Sequence, residues 1–366
     1  MRLNPLHNQV GGHDGVMSMG DDNEIIVKPC LAQELEFYEQ SILHPELKAW
    51  MPAFYGSLTL ARQVNTSTTS TEGTGQDPST SMSVDATTEF SLPAITSLDG
   101  IALETFGHKV STSSTFQSKT GVNGETMSVL VQESSSTTSK EDLCICLENV
   151  SHGFTHPCVL DLKLGTQLFD DNAPEEKKAR LAAVAAKTTS GKLGFRMTGF
   201  QVYDQEQSRY IKYDKQYGKS MTEESVVDGF RLYFAAKLGP KRMKLVLLRF
   251  VNDLEDFLEI IKTQELRMRS SSLLLMYEGD RDAFDEGLIC EQEARAKAEA
   301  AIESEDDDSD EEEDEESSKD QKVTDARLID FAHSTWTPGM GPDEGVILGV
   351  TSTLHIFKLL LEDFNQ

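Results

Sequence analysis

The stretch Pro157–Gly165, PCVLDLKLG, sets two opposite charges, Asp161 and Lys163, inside an otherwise apolar run. Read as a strand, positions two apart share a face, so Val159, Asp161 and Lys163 leave one surface together while Leu160, Leu162 and Leu164 line the other. Any fold built around this strand has a core on one side and must find a use for two charges of opposite sign on the other.

The chain has 366 residues, enough for one large domain or two lobes, and its hydrophobic fraction of 38% is low enough to predict that part of it stays unfolded. Residues 66–88, TSTTSTEGTGQDPSTSMSVDATT, and the Ser/Thr/Gly-rich stretch 111–140 bury too little apolar surface to offset the entropy of ordering, and read as loops inserted into the first lobe. The net charge is −28, and the tract ESEDDDSDEEEDEE at 303–316 alone holds twelve acids and no base. Without it the body is still about −16. Nucleic-acid phosphates repel such a body, so no direct nucleic-acid binding is expected, and an anionic substrate would need a local concentration of bases. The five cysteines, at 30, 144, 146, 158 and 290, show no zinc spacing and an odd count, which points to a reducing intracellular compartment. The first fifteen residues lack the apolar core of a signal peptide, and no run approaches the ~20 apolar residues of a membrane span, so a soluble protein is expected.

Coarse periodicity places a strand at 24–28, a helix at 32–43, a strand at 141–150 that serves as the crossing between lobes, a helix at 175–187 and a closing amphipathic helix at 351–364. In this frame Lys28 on a strand and Glu34 on the next helix can pair, as does the pair that fixes a lysine on ATP phosphates in protein kinases. The same two residues also read as an ordinary surface ion pair. Asp330, directly after the apolar pair Leu328 and Ile329 in RLID, is a magnesium-ligand position or a helix cap. Ser272, before LLLMYEGD, either sits beside a metal or starts a strand. The required bases appear in EEKKARLAAVAAKTTSGKLGFR, where Lys177, Lys178, Arg180, Lys187, Lys192 and Arg196 face only two acids, and in RYIKYDKQYGKS, which adds Lys212, Lys215 and Lys219. Such runs are often solvated helix faces, but in a body this acidic they read as a receptor for phosphates. Gly11, Gly12 and Gly15 supply flexible backbone ahead of the Lys28 strand. A phosphate-binding Walker loop and the His-Arg-Asp catalytic loop are both missing from the sequence, so neither a P-loop enzyme nor an ordinary protein kinase is expected.

These segments in this order resemble the inositol polyphosphate kinase family. PCVLDLKLG matches the family's Pro-x-x-x-Asp-x-Lys-x-Gly signature, and SSLLLMYEGD and LIDFAHS are similar to its Ser-Leu-Leu and Asp-Phe-Ala segments; VKP, QELEFY and YGKS extend the likeness. The continuation GTQLFDDNAPEEKKARL, the segment TPGMGPDE and the acidic insertion are most similar to the multikinase branch, fungal members in particular. The resemblance implies an α+β, two-lobed kinase-like fold: an antiparallel N-lobe at 1–147, an α/β C-lobe at 148–366 with an inositol-phosphate-binding segment at 166–220 and a disordered acidic insertion at 303–322, and ATP in the cleft. It implies that Lys28, with Glu34, holds ATP phosphates, that the Glu148–Val150 backbone meets adenine, that Asp161 lies near the ribose, and that Asp330 binds Mg2+ with Ser272 beside it. Lys163 would serve the transferred phosphoryl group, and Gln33, Lys177, Arg180, Lys187, Lys215 and His333 would hold the acceptor, an inositol trisphosphate carried on to tetrakis- and pentakisphosphates. A single-step inositol phosphate kinase is the alternative. A third reading is an acidic nuclear interaction protein that recruits a basic or transcription-factor partner, and a nuclear location, with some cytoplasmic protein, goes with it.

Overall fold

A computed structural model describes residues 3–5, 15–20, 23–62, 140–303 and 321–364. The expected loop 66–88, the loop 111–140 apart from Lys140, Gly11, Gly12 and residues 304–320 of the acidic insertion lie outside the described residues. One unit, Leu60–Glu141, is described only at its ends, residues 60–62 and 140–141; all else discussed below belongs to the other, Met1–Thr59 with Asp142–Gln366.

The chain begins with β1 (Leu3–Pro5), β2 (Met17–Met19), β3 (Ile25–Pro29), α1 (Ala32–Gln40), α2 (Pro45–Lys48), β4 (Phe54–Arg62) and β5 (Lys140–Glu148). Their strands form a sheet of order β1-β2-β3-β5-β4. The helix read at 32–43 is α1 plus one turn of 3-10 helix, Ser41–Leu43. There follow β6 (Pro157–Leu164), α3 (Glu175–Lys187), α4 (Thr189–Leu193), β7 (Phe195–Asp204), β8 (Arg209–Tyr213), α5 (Lys215–Ser220), α6 (Val226–Tyr233), α7 (Pro240–Thr263) and β9 (Leu266–Met268). The chain closes with β10 (Ser272–Glu278), α8 (Arg281–Glu303), β11 (Thr324–Ile329), β12 (Ser334–Trp336) and α9 (Glu344–Asp363). The second sheet has the order β11-β10-β6-β7-β8 and is antiparallel throughout.

As the central strand, β6 is covered on both faces, and the two faces differ in the way the alternation predicts. Leu160, Leu162 and Leu164 enter the main core with Phe250, Phe257 and Phe357 of α7 and α9. Val159, on the charged face, joins a separate small cluster with Val150 and Met276. Helix α7 buries Met243, Val246, Leu247, Phe250, Val251, Leu254, Phe257 and Ile261, the three- and four-residue spacing of a single stripe, and Pro240 fits at its start because that first turn has no partner for an N–H.

Helix α9 starts seven residues before the expected 351–364 because Asp343 caps it, accepting from the Gly345 and Val346 amides. By length and composition it could cross a membrane, with a mean hydropathy of 1.4, a match the sequence reading did not count. Its apolar face, including Val346, Val350, Ile356 and Phe357, is buried in the core, and the helix packs on α7, β6 and β7.

Two features of this framework carry predictions. A Cβ at Gly218, in α5, would run into the Met197 carbonyl oxygen of β7, which is backbone and cannot step aside. Gly218→Ala is therefore expected to lower unfolding stability by about 3 kcal/mol, read from a denaturant midpoint. Asp253 of α7 is pushed up to about 6 by burial first, then by Asp325 and Asp256, with Arg249 opposing. A carboxyl whose folded pKa exceeds its unfolded value of 3.8 lowers stability as pH rises through that window and leaves it low above about 6. Asp253→Asn is expected to melt higher than the wild type near neutral pH, with the gap closing near pH ~4.

Candidate active site

The charged face of β6 continues across its neighbours by register. Lys163 lies opposite Ser272 of β10 and Arg196 of β7, and Ser272 lies opposite Ile329, the last residue of β11. One step along, Asp161 lies between Leu274 and Gly199, and one further, Val159 pairs with Met276. A single sheet face thus runs from apolar, at Val159, Met276 and the neighbouring Val150, to strongly polar, at Asp161, Lys163, Ser272 and Arg196.

The polar end holds groups that are buried but not saturated. Asp161 is 3% exposed and its Oδ1 has no described partner; Arg196 is 7% exposed and its Nη1 has none either. Burial pulls the Arg196 pKa down, and the nearby Asp161 carboxylate works against that shift. Unsatisfied groups of this kind are costly in a folded core, so their joint presence on one face marks a place built for a polar ligand. The Lys163 ammonium donates to the Ser270 carbonyl and lies 3.5 Å from Ser272 Oγ. Ser272 is fully buried with its hydroxyl beside this cation, which suits it to orienting Lys163.

Asp330 follows β11 directly and has φ 65, a left-handed backbone that non-glycine residues occupy at a cost. Its Oδ1 lies 2.8 Å from Lys28 Nζ, and the same ammonium lies 2.7 Å from Glu34 Oε1. Lys28 and Glu34 are buried, so they are not the surface ion pair their spacing alone would allow. Burial alone would lower the Lys28 pKa, but Asp330 and then Glu34 reverse this, and the net shift is upward: the lysine stays charged. Stacked rings hold Glu34's helix in place, with Phe37 lying 4.8 Å from Phe331 and 4.7 Å from Trp336.

The remaining sequence candidates lie on α1, in the turn after Asp330, on α3 and at the start of α5. His333 Nδ1 sits 3.5 Å from Asp170 Oδ2, and Gln33 Nε2 donates to the Ser334 carbonyl at 3.2 Å, holding α1 against the turn after Asp330. Helix α3 has the expected bounds and carries Lys177, Arg180 and Lys187 within about 80° of one another at ~100° per residue. These three, and Lys215 at the start of α5, form no hydrogen bond or ion pair with the described residues, so their cationic heads are free for a ligand. Lys178 and Lys192 are already paired, with Glu175 and Glu223. At the crossing, the Glu148 amide is taken up by the Ala53 carbonyl at 2.9 Å. Among the described residues no cluster of three or more His, Cys, Asp or Glu side chains is arranged to hold a metal by itself. A cation here would share Asp330 with ligand oxygens, the coordination magnesium favours.

Asp170 was missed by motif reasoning, and Arg196 was read only as one base in a phosphate-binding run, with no place of its own in the site. Arg196 had a readable signal, because it is the one charge in the apolar strand FRMTGFQV, the same anomaly that marks Asp161 and Lys163. Asp170 had none, since its meeting with His333 is made by tertiary structure alone.

A face that passes from apolar to cationic, closed by a strained aspartate and a lysine–glutamate pair, defines a phosphotransferase of the two-lobed, kinase-like α+β class. The family model described as inositol polyphosphate kinase matches residues 144–358. The chain is 32% identical to the inositol polyphosphate multikinase of Saccharomyces cerevisiae over 96% of this chain and 97% of that protein. It is 27% identical to that of Schizosaccharomyces pombe over 99% of this chain and 100% of that one. Its fold is similar to the crystal structure of the inositol phosphate multikinase from S. cerevisiae in complex with ADP and Mn2+, with a TM-score of 0.58 and 27% identity over 92% of this chain and 99% of that chain. The chain belongs to the inositol polyphosphate kinase family.

Proposed function

We propose that this protein is an inositol polyphosphate multikinase, transferring the γ-phosphoryl group of ATP in line to ring hydroxyls and carrying an inositol trisphosphate to tetrakis- and pentakisphosphates. The observation that carries this reading is the graded face of the second sheet. Its apolar end, Val150, Val159 and Met276, suits a purine, and its polar end holds the buried, unsatisfied Asp161 and Arg196 beside Lys163.

In this reading the Glu148 carbonyl and the Val150 amide meet the base, since the Glu148 amide is already engaged. Asp161 takes the ribose, and Lys28, held by Glu34 and Asp330, takes the nucleotide phosphates. Asp330 would hold Mg2+, which would supply neutralisation of charge on the phosphate oxygens. Lys163 bridges the transferred phosphoryl group and the acceptor. Arg196, His333, Gln33 and Lys215 face the acceptor phosphates together with Lys177, Arg180 and Lys187 of α3. The new bond forms between a ring oxygen and Pγ, the bond from Pγ to the β-phosphate oxygen breaks, and the ring hydroxyl loses its proton. Positioning and charge neutralisation carry the catalysis, and no side chain is assigned as general base. A nuclear location and recruitment of a basic protein through the acidic tract extend the proposal from sequence, the tract itself lying outside the described residues.

The test is to incubate the purified protein with ATP, Mg2+ and inositol 1,4,5-trisphosphate and separate the products over time. Successive tetrakis- and pentakisphosphates are expected. Arrest at one tetrakisphosphate would select a single-step kinase, and no phosphorylated product would defeat the proposal.

A further inference from the structure

Lys322 is the last residue of the stretch 303–322 read from sequence as a disordered insertion, six residues before the LIDFAHS segment, yet it is described and reaches the crossing segment between the two sheets. Its Nζ lies 3.4 Å from the Val150 carbonyl oxygen, 3.6 Å from Glu148 Oε1 and 3.1 Å from Asp325 Oδ2. Its backbone amide donates to the Gly153 carbonyl at 2.8 Å. One residue therefore holds the crossing at 148, 150 and 153. Arg327, within β11, repeats the pattern: it bonds Asp325 at 2.9 Å, the Ala49 carbonyl at 3.0 Å, and approaches Glu148 Oε1 at 4.0 Å.

The first-sheet side grips the same segment differently. Asn149 donates to the Glu24 and Asn23 carbonyls, each at 2.7 Å, and Glu148 exchanges hydrogen bonds with Ala53. Against those bonds stand the side chains of Lys322, two residues before β11, and of Arg327 within it. That strand ends at Ile329 and Asp330 follows it, so the segment 322–330 braces the crossing at one end and presents the carboxylate that pairs Lys28 at the other.

We infer that Lys322 is a positioning residue for the nucleotide: by fixing the Val150 carbonyl and the Glu148 carboxylate it sets the backbone edge against which the base docks. The inference rests on the nucleotide reading above. An exposed lysine–carboxylate contact would contribute almost nothing. Here the Lys322 side chain is only 27% exposed and that of Asp325 12%, and its ammonium contacts a backbone carbonyl as well as two carboxylates, so its loss frees a segment as well as a charge.

The experiment compares the wild type with Lys322→Met by ADP titration, by KM for ATP and for inositol trisphosphate, and by kcat. Expected are an ADP dissociation constant and an ATP KM raised about threefold to tenfold, with kcat and the acceptor KM within about twofold of wild type. Lys322→Gln, which keeps one donor toward Val150, is expected between the two, and carries the same test should the methionine variant fail to fold. Unchanged ADP affinity in the variants, or a matching rise in the acceptor KM, overturns this inference alone. A wild-type protein that binds no ADP overturns the nucleotide reading and this inference together.

Discussion

Asp330→Asn is expected to reduce turnover by about a thousandfold or more at any magnesium concentration, while the variant still folds and still binds ADP. The substitution suits the question because of the backbone. Asp330 has φ 65, a region where asparagine is among the most tolerant residues, so the side-chain charge is removed with little change in strain. Lys28 keeps Glu34 at 2.7 Å, so the buried ammonium is not left unpaired. What disappears is the carboxylate that can hold a divalent cation against phosphate oxygens. Asp330→Ala should also abolish activity, but it adds a backbone penalty and reads the carboxylate less cleanly. Near-normal turnover in Asp330→Asn would contradict the metal assignment.

Lys163→Met is expected to lower kcat about a hundredfold to a thousandfold and to change ADP affinity by less than about threefold. Methionine keeps most of the stem between β10 and β7 and removes only the ammonium, which donates to Ser270 and approaches Ser272. In the proposed site that ammonium meets the phosphoryl group as it moves toward the acceptor, so its worth is greatest in the transition state. A parallel loss of ADP affinity would instead place Lys163 among the groups that merely hold the nucleotide.

Much of the scaffold was legible because burial writes periodicity into sequence. The strand read from PCVLDLKLG is β6, and its two faces part into a main core and a separate cluster, as the alternation requires. Helix α3 keeps the bounds read for it, 175–187; Thr188 is its C-cap, and α4 begins at Thr189. The start of α9 was misplaced because the cap lies in GPDEG, where Asp343 is distinguished by its bonds to two amides and to Met268, not by any period.

The site was legible to a lesser degree. Residues inside apolar strands announce themselves, and Arg196, read from sequence only as part of a basic run, meets the criterion that singled out Lys163. Register is another matter: that Arg196 lies opposite Lys163, with a register shift between Asp161 and Leu162, depends on how β7 docks. Nor does any local pattern say that Asp330 is left-handed, that Asp170 meets His333, or that Lys322 reaches back across more than 170 residues of chain to Val150.

The central claim is that one sheet face holds a nucleotide and an inositol phosphate in line. The most direct measurement is a single-turnover transfer experiment with γ-labelled ATP and inositol 1,4,5-trisphosphate, run on the wild type and on Asp330→Asn. The label should pass to the inositol phosphate in the wild type and stay on ATP in the variant. Label released only to water by the wild type, or transferred equally well by Asp330→Asn, would contradict it.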